Sequence, residues 1–249
     1  MNKDILIFDI EGYGAHFRKF YTNSSSLSYG VPPRTVISGL IAGILGRERD
    51  TYYDDFAKEK IDIAVKKNVR IRKIMQTLNY MKITSPKHFQ LPEDHTQIPF
   101  EIVLAEKGML SYRIYLSHRQ KSFIDELEGR IRDQKYYYAP FLGTATFSCS
   151  LKYVDRITGI EEFSQEPIDI CSLVPFSSIE DGGIQLSRMD ISKLLIMKEK
   201  MPCEFTGARN IKTVEAYVYD ENLNPLSVLL KSSFVKLKYN EHEENIVFM

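Results

Sequence analysis

Asp4-Ile-Leu-Ile-Phe-Asp-Ile10 is the stretch that decides the fold. A short apolar run rich in isoleucine predicts a buried strand. A polar loop, Glu11 to Gly30, follows it. Pro33 to Leu45 then repeats apolar residues on one helical face, with prolines at its start and Gly46 placed to stop it. The chain therefore opens with a strand, a long loop and a helix, in which Gly39 and Gly43 predict close approach to a sheet.

The predicted elements continue in a regular order through the first 155 residues. Alternating apolar residues predict strands, and an apolar helical face predicts a second helix. In order these are a strand within Lys60 to Tyr80, a polar hairpin arm, a strand at Tyr112 to Leu116, a helix over Lys121 to Gln134 and a strand over Thr144 to Val154. The order β, α, β, hairpin insertion, β, α, β predicts a ferredoxin-like unit over residues 1–155.

The hairpin arm, about residues 79–98, is longer than a connection needs. Lys82 to Gln97 is a polar stretch of about 16 residues, whereas most hairpin loops have two to five. We therefore expect the arm to have a task. Residues 156–249 differ, because short apolar runs such as Val214 to Tyr219 and Leu226 to Leu230 predict a mostly β second part. The fold class is α+β.

Composition excludes several classes of protein. Of the 249 residues 43% are hydrophobic and 27% charged, as in an ordinary folded chain. The longest apolar run, Val36 to Leu45, is about half of a membrane span, so we expect a cytoplasmic protein with no membrane partner. Three separated cysteines, Cys149, Cys171 and Cys203, indicate free buried thiols rather than disulfides or a zinc site.

Charge is distributed unevenly. The net charge is zero, which by itself argues against a nucleic-acid partner. Residues 1–90, however, carry 15 Lys and Arg against 9 Asp and Glu, and residues 91–249 carry 18 against 24. This asymmetry suggests a basic RNA-binding part joined to an acidic part that faces protein partners.

Strong catalytic or cofactor motifs are missing. The sequence has no phosphate-binding Gly-rich loop with a lysine, no HExxH, no paired CxxC and no nucleophile elbow, so we expect no cofactor and no metal. Glu11-Gly-Tyr-Gly14 follows a strand, as in dinucleotide sites, but the third glycine is missing. A turn requiring positive φ explains both glycines as well.

The loop His16 to Ser26 is the most informative segment for function. It interleaves cations, aromatic residues and hydroxyls, which suit phosphates, splayed bases and the 2′-OH of RNA. The alternative makes Phe17 and Phe20 core residues and leaves Arg18 and Lys19 on a solvated face. Both interpretations stay open on the loop alone.

A family resemblance favours RNA. Gly14 to Tyr29, Pro32-Pro-Arg-Thr35 and Gly39 to Gly46 resemble the N-terminal signature of a CRISPR-associated RAMP subunit, the one that caps the 5′ handle of the guide RNA (crRNA) in type I Cascade, in its I-B, Hmari-like form. Tyr138-Ala-Pro-Phe-Leu-Gly143 is similar to the family's Tyr-x-Pro-Tyr-Leu-Gly motif, with Phe141 in place of Tyr. His95 to Glu101 resembles its hairpin region.

The resemblance implies a ferredoxin-like (RRM/RAMP) domain whose hairpin acts as a thumb beside the first guide nucleotides. It implies a subunit that grips the crRNA 5′ handle, contacts the Cascade backbone-filament subunit and large subunit, and meets target DNA only indirectly. Arg34 is a cation in the first turn of the helix, where it opposes the helix dipole, so an anion partner such as a phosphate would explain it, and a nearby acid such as Glu11 would explain it equally well. The candidate RNA-binding residues are His16, Arg18, Lys19, Tyr21, Ser24, Ser25, Arg34, Arg70, Arg72, Lys73, His95 and Gln97.

Two other functions compete with this one. The related I-C subunit is a metal-independent endoribonuclease that processes precursor crRNA, and His16, Lys19 and Tyr21 could supply the proton transfers that such cleavage needs. The third candidate is a protein scaffold without RNA contact, which the zero net charge permits. We expect a binding subunit with no catalytic residue.

Overall fold

The structure, a computed structural model, describes residues 2–90 and 94–249. Strands predominate and helices are few. In chain order the elements are β1 (Asn2–Gly12), β2 (Phe17–Arg18), β3 (Ser28–Tyr29), α1 (Arg34–Ile44), β4 (Ile61–Lys67), β5 (Ile71–Met81), α2 (Lys87–Gln90), β6 (His95–Ala105), β7 (Leu110–His118), α3 (Lys121–Asp133), β8 (Cys149–Glu162), β9 (Ile168–Ile170), β10 (Val174–Pro175), β11 (Ile179–Ile184), β12 (Ile196–Phe205), β13 (Ile211–Asp220), β14 (Leu226–Leu230), β15 (Phe234–Tyr239) and β16 (His242–Ile246).

The main sheet is antiparallel, in the order β16-β15-β8-β1-β7-β4. Its strand β1 is apolar without alternation because both of its faces are covered. Leu6 and Phe8 belong to the core beneath the helices, whereas Ile5 and Ile7 pack against Val235 and its neighbours from the C-terminal strands. The predicted strand Asp4 to Ile10 is therefore a central, doubly buried one.

Helices α1 and α3 cross between strands on one face of this sheet. Both lie where the apolar periodicity predicts them, and Gly46, with φ of 70°, follows the end of α1 as expected. In α3 the apolar face of Phe123, Ile124, Leu127 and Ile131 is buried. These helices and the sheet enclose the larger core.

The C-terminal strands curl the sheet. Lys66 on edge strand β4 pairs with Glu244 on β16, at the opposite end of the strand order. The backbone N–H of Met249 also donates to the carbonyl of Ile63 at 2.8 Å. The predicted boundary at residue 155 falls within β8, and β15 and β16 continue the main sheet. The division into two domains stays a prediction.

The remaining strands of the C-terminal part form two small sheets, β10-β13-β12 and β11-β14-β9. All three cysteines are free, and of these only Cys203 is fully buried. Among the described residues, no helix combines the length and apolar character needed to cross a membrane.

The hairpin arm is longer than predicted. Strands β5 and β6 pair from Ile71 with Ala105 to Met81 with His95, so the arm begins before residue 79. The apparently continuous strand over Lys60 to Tyr80 is split at Asn68, whose amide is bonded to Asp9 and Ser111 of the main sheet. Most of β5 is exposed, so the arm projects from the body. Residues 91–93 of the predicted arm lie outside the described residues.

Arg34, at the start of α1, lies in the core with 1% of its surface exposed. Its guanidinium donates to the carbonyls of Phe56 at 2.9 Å, Ile61 at 2.9 Å and Cys203 at 3.2 Å. A buried cation that carbonyls surround has no access to a phosphate. The predicted phosphate contact of Arg34 is wrong, because α1 turns this side chain inward.

Replacing Arg34 by Met should destabilise the fold, because three carbonyls would lose a buried charged donor. We expect the free energy of unfolding in urea to fall by about 2–4 kcal/mol. The matched control is Arg119→Met, which removes an exposed guanidinium that bonds the Glu59 carbonyl and should cost less than about 0.5 kcal/mol. Equal losses in the two variants would contradict the structural role of Arg34.

Candidate nucleic-acid interface

A groove of about 830 Å³ opens along the outer face of α1. Five other segments border it, namely the loop after β1, residues 47–53 after α1, the arm at Tyr80 and Phe100, residues 138–144 and the end of the β12–β13 hairpin. Among the described residues its lining contains no Asp, Glu or Lys, and its cations are all arginines. The cationic and aromatic lining residues are Arg18, Arg47, Arg49, Arg209, His16, Phe17, Phe20, Tyr52, Tyr53, Tyr80, Phe100, Tyr138, Phe141 and Phe205.

The floor of the groove is the glycine face of α1. A Cβ on Gly39 would lie 3.3 Å from the Tyr52 hydroxyl, and one on Gly43 would lie 4.0 Å from Tyr138 Cβ. The expected approach of these glycines to a sheet is therefore wrong. They leave space between aromatic side chains at the surface, where a flat ligand can lie close to the helix backbone.

Gly143 fixes the loop beside the groove. Its φ is 87°, and a Cβ there would lie 1.9 Å from the His16 carbonyl oxygen, so only glycine fits. The His16 N–H donates to the Leu142 carbonyl at 3.1 Å. The two motifs that carry the family resemblance thus pack against each other. Gly12 and Gly14 lack the positive φ suggested for them and instead make room for neighbouring side chains.

His16 is a structural residue. It is 2% exposed and stacks on Phe100 with a centroid distance of 3.9 Å. Its Nδ1–H donates to the Glu101 carbonyl at 2.7 Å, and Nε2 accepts from the Ser26 hydroxyl at 2.9 Å. The ring joins the loop to the base of the arm and, at 2% exposure, is not placed to make the RNA contact predicted for it.

Lys19 and Lys73 also form ion pairs and hydrogen bonds within the protein. Lys19 Nζ pairs with Glu199 at 2.7 Å. Burial disfavours its charge, but the bond and charge of Glu199 outweigh burial, so the pKa of Lys19 is raised. Lys73 Nζ donates to the Ser28 carbonyl at 2.7 Å and lies 3.6 Å from Glu101. Both cations are thus engaged by carboxylates of the protein itself.

The other predicted residues lie in two places. Arg18 lines the groove, and Tyr21, 53% exposed, packs edge-on against Phe20 beside it, with exposed Ser24 and half-buried Ser25 following on the same loop. Four predicted residues are exposed on the arm and at its base, namely Arg70, Arg72, His95 and Gln97. Of the predicted residues, the structure therefore brings only His16 and Arg18 to the groove lining, and the arm residues form a separate set.

Arg47, Arg49 and Arg209 were missed by the sequence analysis. Arg47 and Arg49 follow Gly46, where the predicted helix ends, and cations at such a position are only a weak indication of a binding site. Arg209 comes from a hairpin far along the chain, and its place in the sequence gives no such indication. Arg49 Nε lies 3.2 Å from Asp50, which the Tyr53 hydroxyl also bonds at 2.5 Å. Among the described residues no cluster of His, Cys, Asp or Glu could hold a metal. The site is equipped for binding anions and rings.

Burial lowers the pKa of His16 below its ordinary value of 6.5, although its bond to the Glu101 carbonyl opposes this. The unfolded chain then binds the proton more readily, so His16 should lower the free energy of unfolding as the pH falls below about 6.5. We expect urea denaturation at pH 7.5 and 5.5 to show a smaller pH-dependent loss in His16→Asn than in the wild type. Identical pH dependence would contradict a neutral, buried His16.

The chain matches the family model described as CRISPR-associated protein (Cas_Cas5) over residues 5–163. No curated protein sequence matches it. A crystal structure of a CRISPR protein from Archaeoglobus fulgidus is similar over 98% of this chain and 99% of that one, with a TM-score of 0.56 and 11% identity, which shows a shared fold.

Two further solved structures are similar at lower scores. A chain of a CRISPR RNA-guided surveillance complex has a TM-score of 0.47 and 12% identity over 90% of each chain. A chain of the type III-B Cmr-beta complex bound to cognate target RNA and AMPPnP has a TM-score of 0.46 and 13% identity over 90% of this chain and 86% of that one. The family match spans well over half of the residues, and the chain belongs to the CRISPR-associated Cas5 family.

Proposed function

We propose that this chain is a non-catalytic subunit of a CRISPR effector complex and binds the 5′ handle of crRNA in the groove along α1. The observation that carries the proposal is a lining of four arginines and many aromatic rings without a carboxylate. Arginine binds phosphate with two parallel hydrogen bonds, and aromatic rings stack on unpaired bases. Family membership supports the choice of crRNA among single-stranded ligands.

We further propose a type I-B, ferredoxin-like RAMP subunit. The strand order β8-β1-β7-β4 with crossover helices α1 and α3 supports this domain, and the arm is inserted between β4 and β7. In this proposal the arm is the thumb, the neighbours are the backbone-filament and large subunits, and target DNA is contacted indirectly. A cytoplasmic location follows from that role.

The absence of catalysis is part of the proposal. Of the three residues considered for RNA cleavage, His16 is buried with both ring nitrogens engaged, and Lys19 is held protonated by Glu199. Only Tyr21 remains exposed. A lone tyrosine does not supply both the base and the acid that cleavage through the 2′-OH requires.

Arg18→Ala and Arg47→Ala test the groove. Each should weaken binding of a labelled single-stranded RNA, whose sequence is the 5′ handle of the host repeat, by about tenfold. Each should also lower the slope of log affinity against log salt by about 0.7 for each lost phosphate contact. The measurement is fluorescence anisotropy at several salt concentrations.

Arg188→Ala is the matched control for these variants. Arg188 is exposed in the C-terminal part and does not line the groove, so its removal should leave the affinity almost unchanged. An unchanged salt slope in both groove variants would contradict the proposed site.

A cleavage assay tests the absence of catalysis. The purified protein, incubated with precursor crRNA in EDTA, should leave the RNA intact, and specific cutting within the repeat would favour the endoribonuclease.

Shortening the arm tests the thumb. Among the described residues, the hydrogen bonds of its tip are local, such as that from Lys82 N–H to the Asp94 carbonyl, and α2 has no buried residue. Replacing residues 83–93 with a Gly-Ser turn should therefore shift the melting temperature by less than about 2 °C. It should impair assembly onto crRNA with the filament subunit, measured by size-exclusion chromatography. Normal assembly would exclude a thumb role.

A further inference from the structure

We propose that the C-terminal part of the chain completes the RNA site, with Arg209 at the end of the β12–β13 hairpin binding a backbone phosphate together with Arg47 and Arg49. This inference rests on the proposed function and assigns a second anchor to the same groove. It adds an RNA contact to the acidic part, residues 91–249, which the charge distribution assigned to protein partners.

The hairpin delivers Arg209 to the groove. Strands β12 and β13 pair as far as Phe205 with Ile211, and both of these residues line the groove with Arg209. The turn between them is closed by its own bonds, since the Thr206 N–H donates to the Asn210 carbonyl at 2.8 Å and the Arg209 N–H donates to the Thr206 carbonyl at 2.8 Å. The tip is a defined structure rather than a loose loop.

Arg209 adopts a conformation that is unfavourable for its residue type. Its φ is 61°, in the left-handed region that turns of this kind usually give to glycine. The neighbours Gly207 and Asn210 both tolerate such angles better, yet the arginine occupies the position. A strained residue that keeps a large charged side chain over a groove indicates a function for that side chain.

A chain of contacts connects the hairpin to Arg49, and Arg47 lies two residues earlier in the sequence. Phe205 packs edge-on against Tyr53 with a centroid distance of 5.8 Å. The Tyr53 hydroxyl bonds Asp50, and Asp50 pairs with Arg49. The β12–β13 hairpin and the turn after α1 therefore meet where both line the groove.

The positive charge where the β12–β13 hairpin meets the turn after α1 is incompletely balanced by carboxylates. Arg49 has Asp50, and Arg47 has Glu126 only at 4.0 Å, while Arg209 has no carboxylate within ion-pair distance among the described residues. Three guanidinium groups with so few acids attract an anion, and their planar donors suit the oxygens of a phosphodiester. An RNA strand with one phosphate here and another near Arg18 would lie across the glycine floor, with its bases against the aromatic rings.

Arg209→Gly separates strain from binding. Glycine relieves the backbone, so the melting temperature should stay level or rise by about 1–3 °C, while affinity for the labelled handle RNA falls about tenfold and the salt slope drops by about 0.7. The matched control is Glu241→Gly, which relieves a similar φ of 65° in the β15–β16 turn and does not line the groove. It should bind as the wild type does.

Wild-type affinity and salt slope in Arg209→Gly would overturn this inference and leave the proposed function intact. Equal losses in Arg209→Gly and Glu241→Gly would also overturn it, since the effect would then be general. Failure of the wild-type protein to bind the RNA would overturn the proposed function and, with it, the second anchor.

Discussion

The groove depends on the buried guanidinium of Arg34. Its three carbonyl partners come from the segment before β4, from the first residue of β4 and from β12. One side chain therefore ties the start of α1 to the first part of the chain and to the hairpin of the second part. Because β12 is held there, the hairpin ends beside the outer face of α1. The groove is the space between these tied elements.

A second constraint shapes the border of the groove that the loop after β1 forms. The loop after β1 is held on one side by β6, with paired backbone bonds between Ala15 and Val103, and on the other by the tight approach of Gly143. His16 lies between these supports and stacks on Phe100 of the arm. The loop thus connects the base of the arm to the groove through packing and backbone hydrogen bonds.

The spacing of apolar residues along the sequence was sufficient to predict the order of elements in residues 1–155, because this spacing reflects burial on one helical face or on both faces of a strand. Such local patterns failed at Asn68, where the chain leaves the sheet while its apolar alternation continues. They also failed for His16 and Arg34, since a polar residue in a loop or first turn looks the same whether it faces solvent or buried carbonyls. The convergence of Arg47, Arg49 and Arg209 is tertiary and has no local signature.

Pairing across the chain explains how a protein of zero net charge has a cationic groove. The four partly buried lysines of residues 1–90 that pair with glutamates find them all beyond residue 90: the pairs are Lys19–Glu199, Lys66–Glu244, Lys67–Glu221 and Lys73–Glu101. Four of the 24 acidic residues of the second half are therefore engaged inside the protein by lysines of the first half. Of the groove arginines, Arg49 pairs with Asp50 and Arg47 approaches Glu126 at 4.0 Å, whereas among the described residues no carboxylate lies within ion-pair distance of Arg18 or Arg209. Local potential, not net charge, decides whether such a surface attracts RNA.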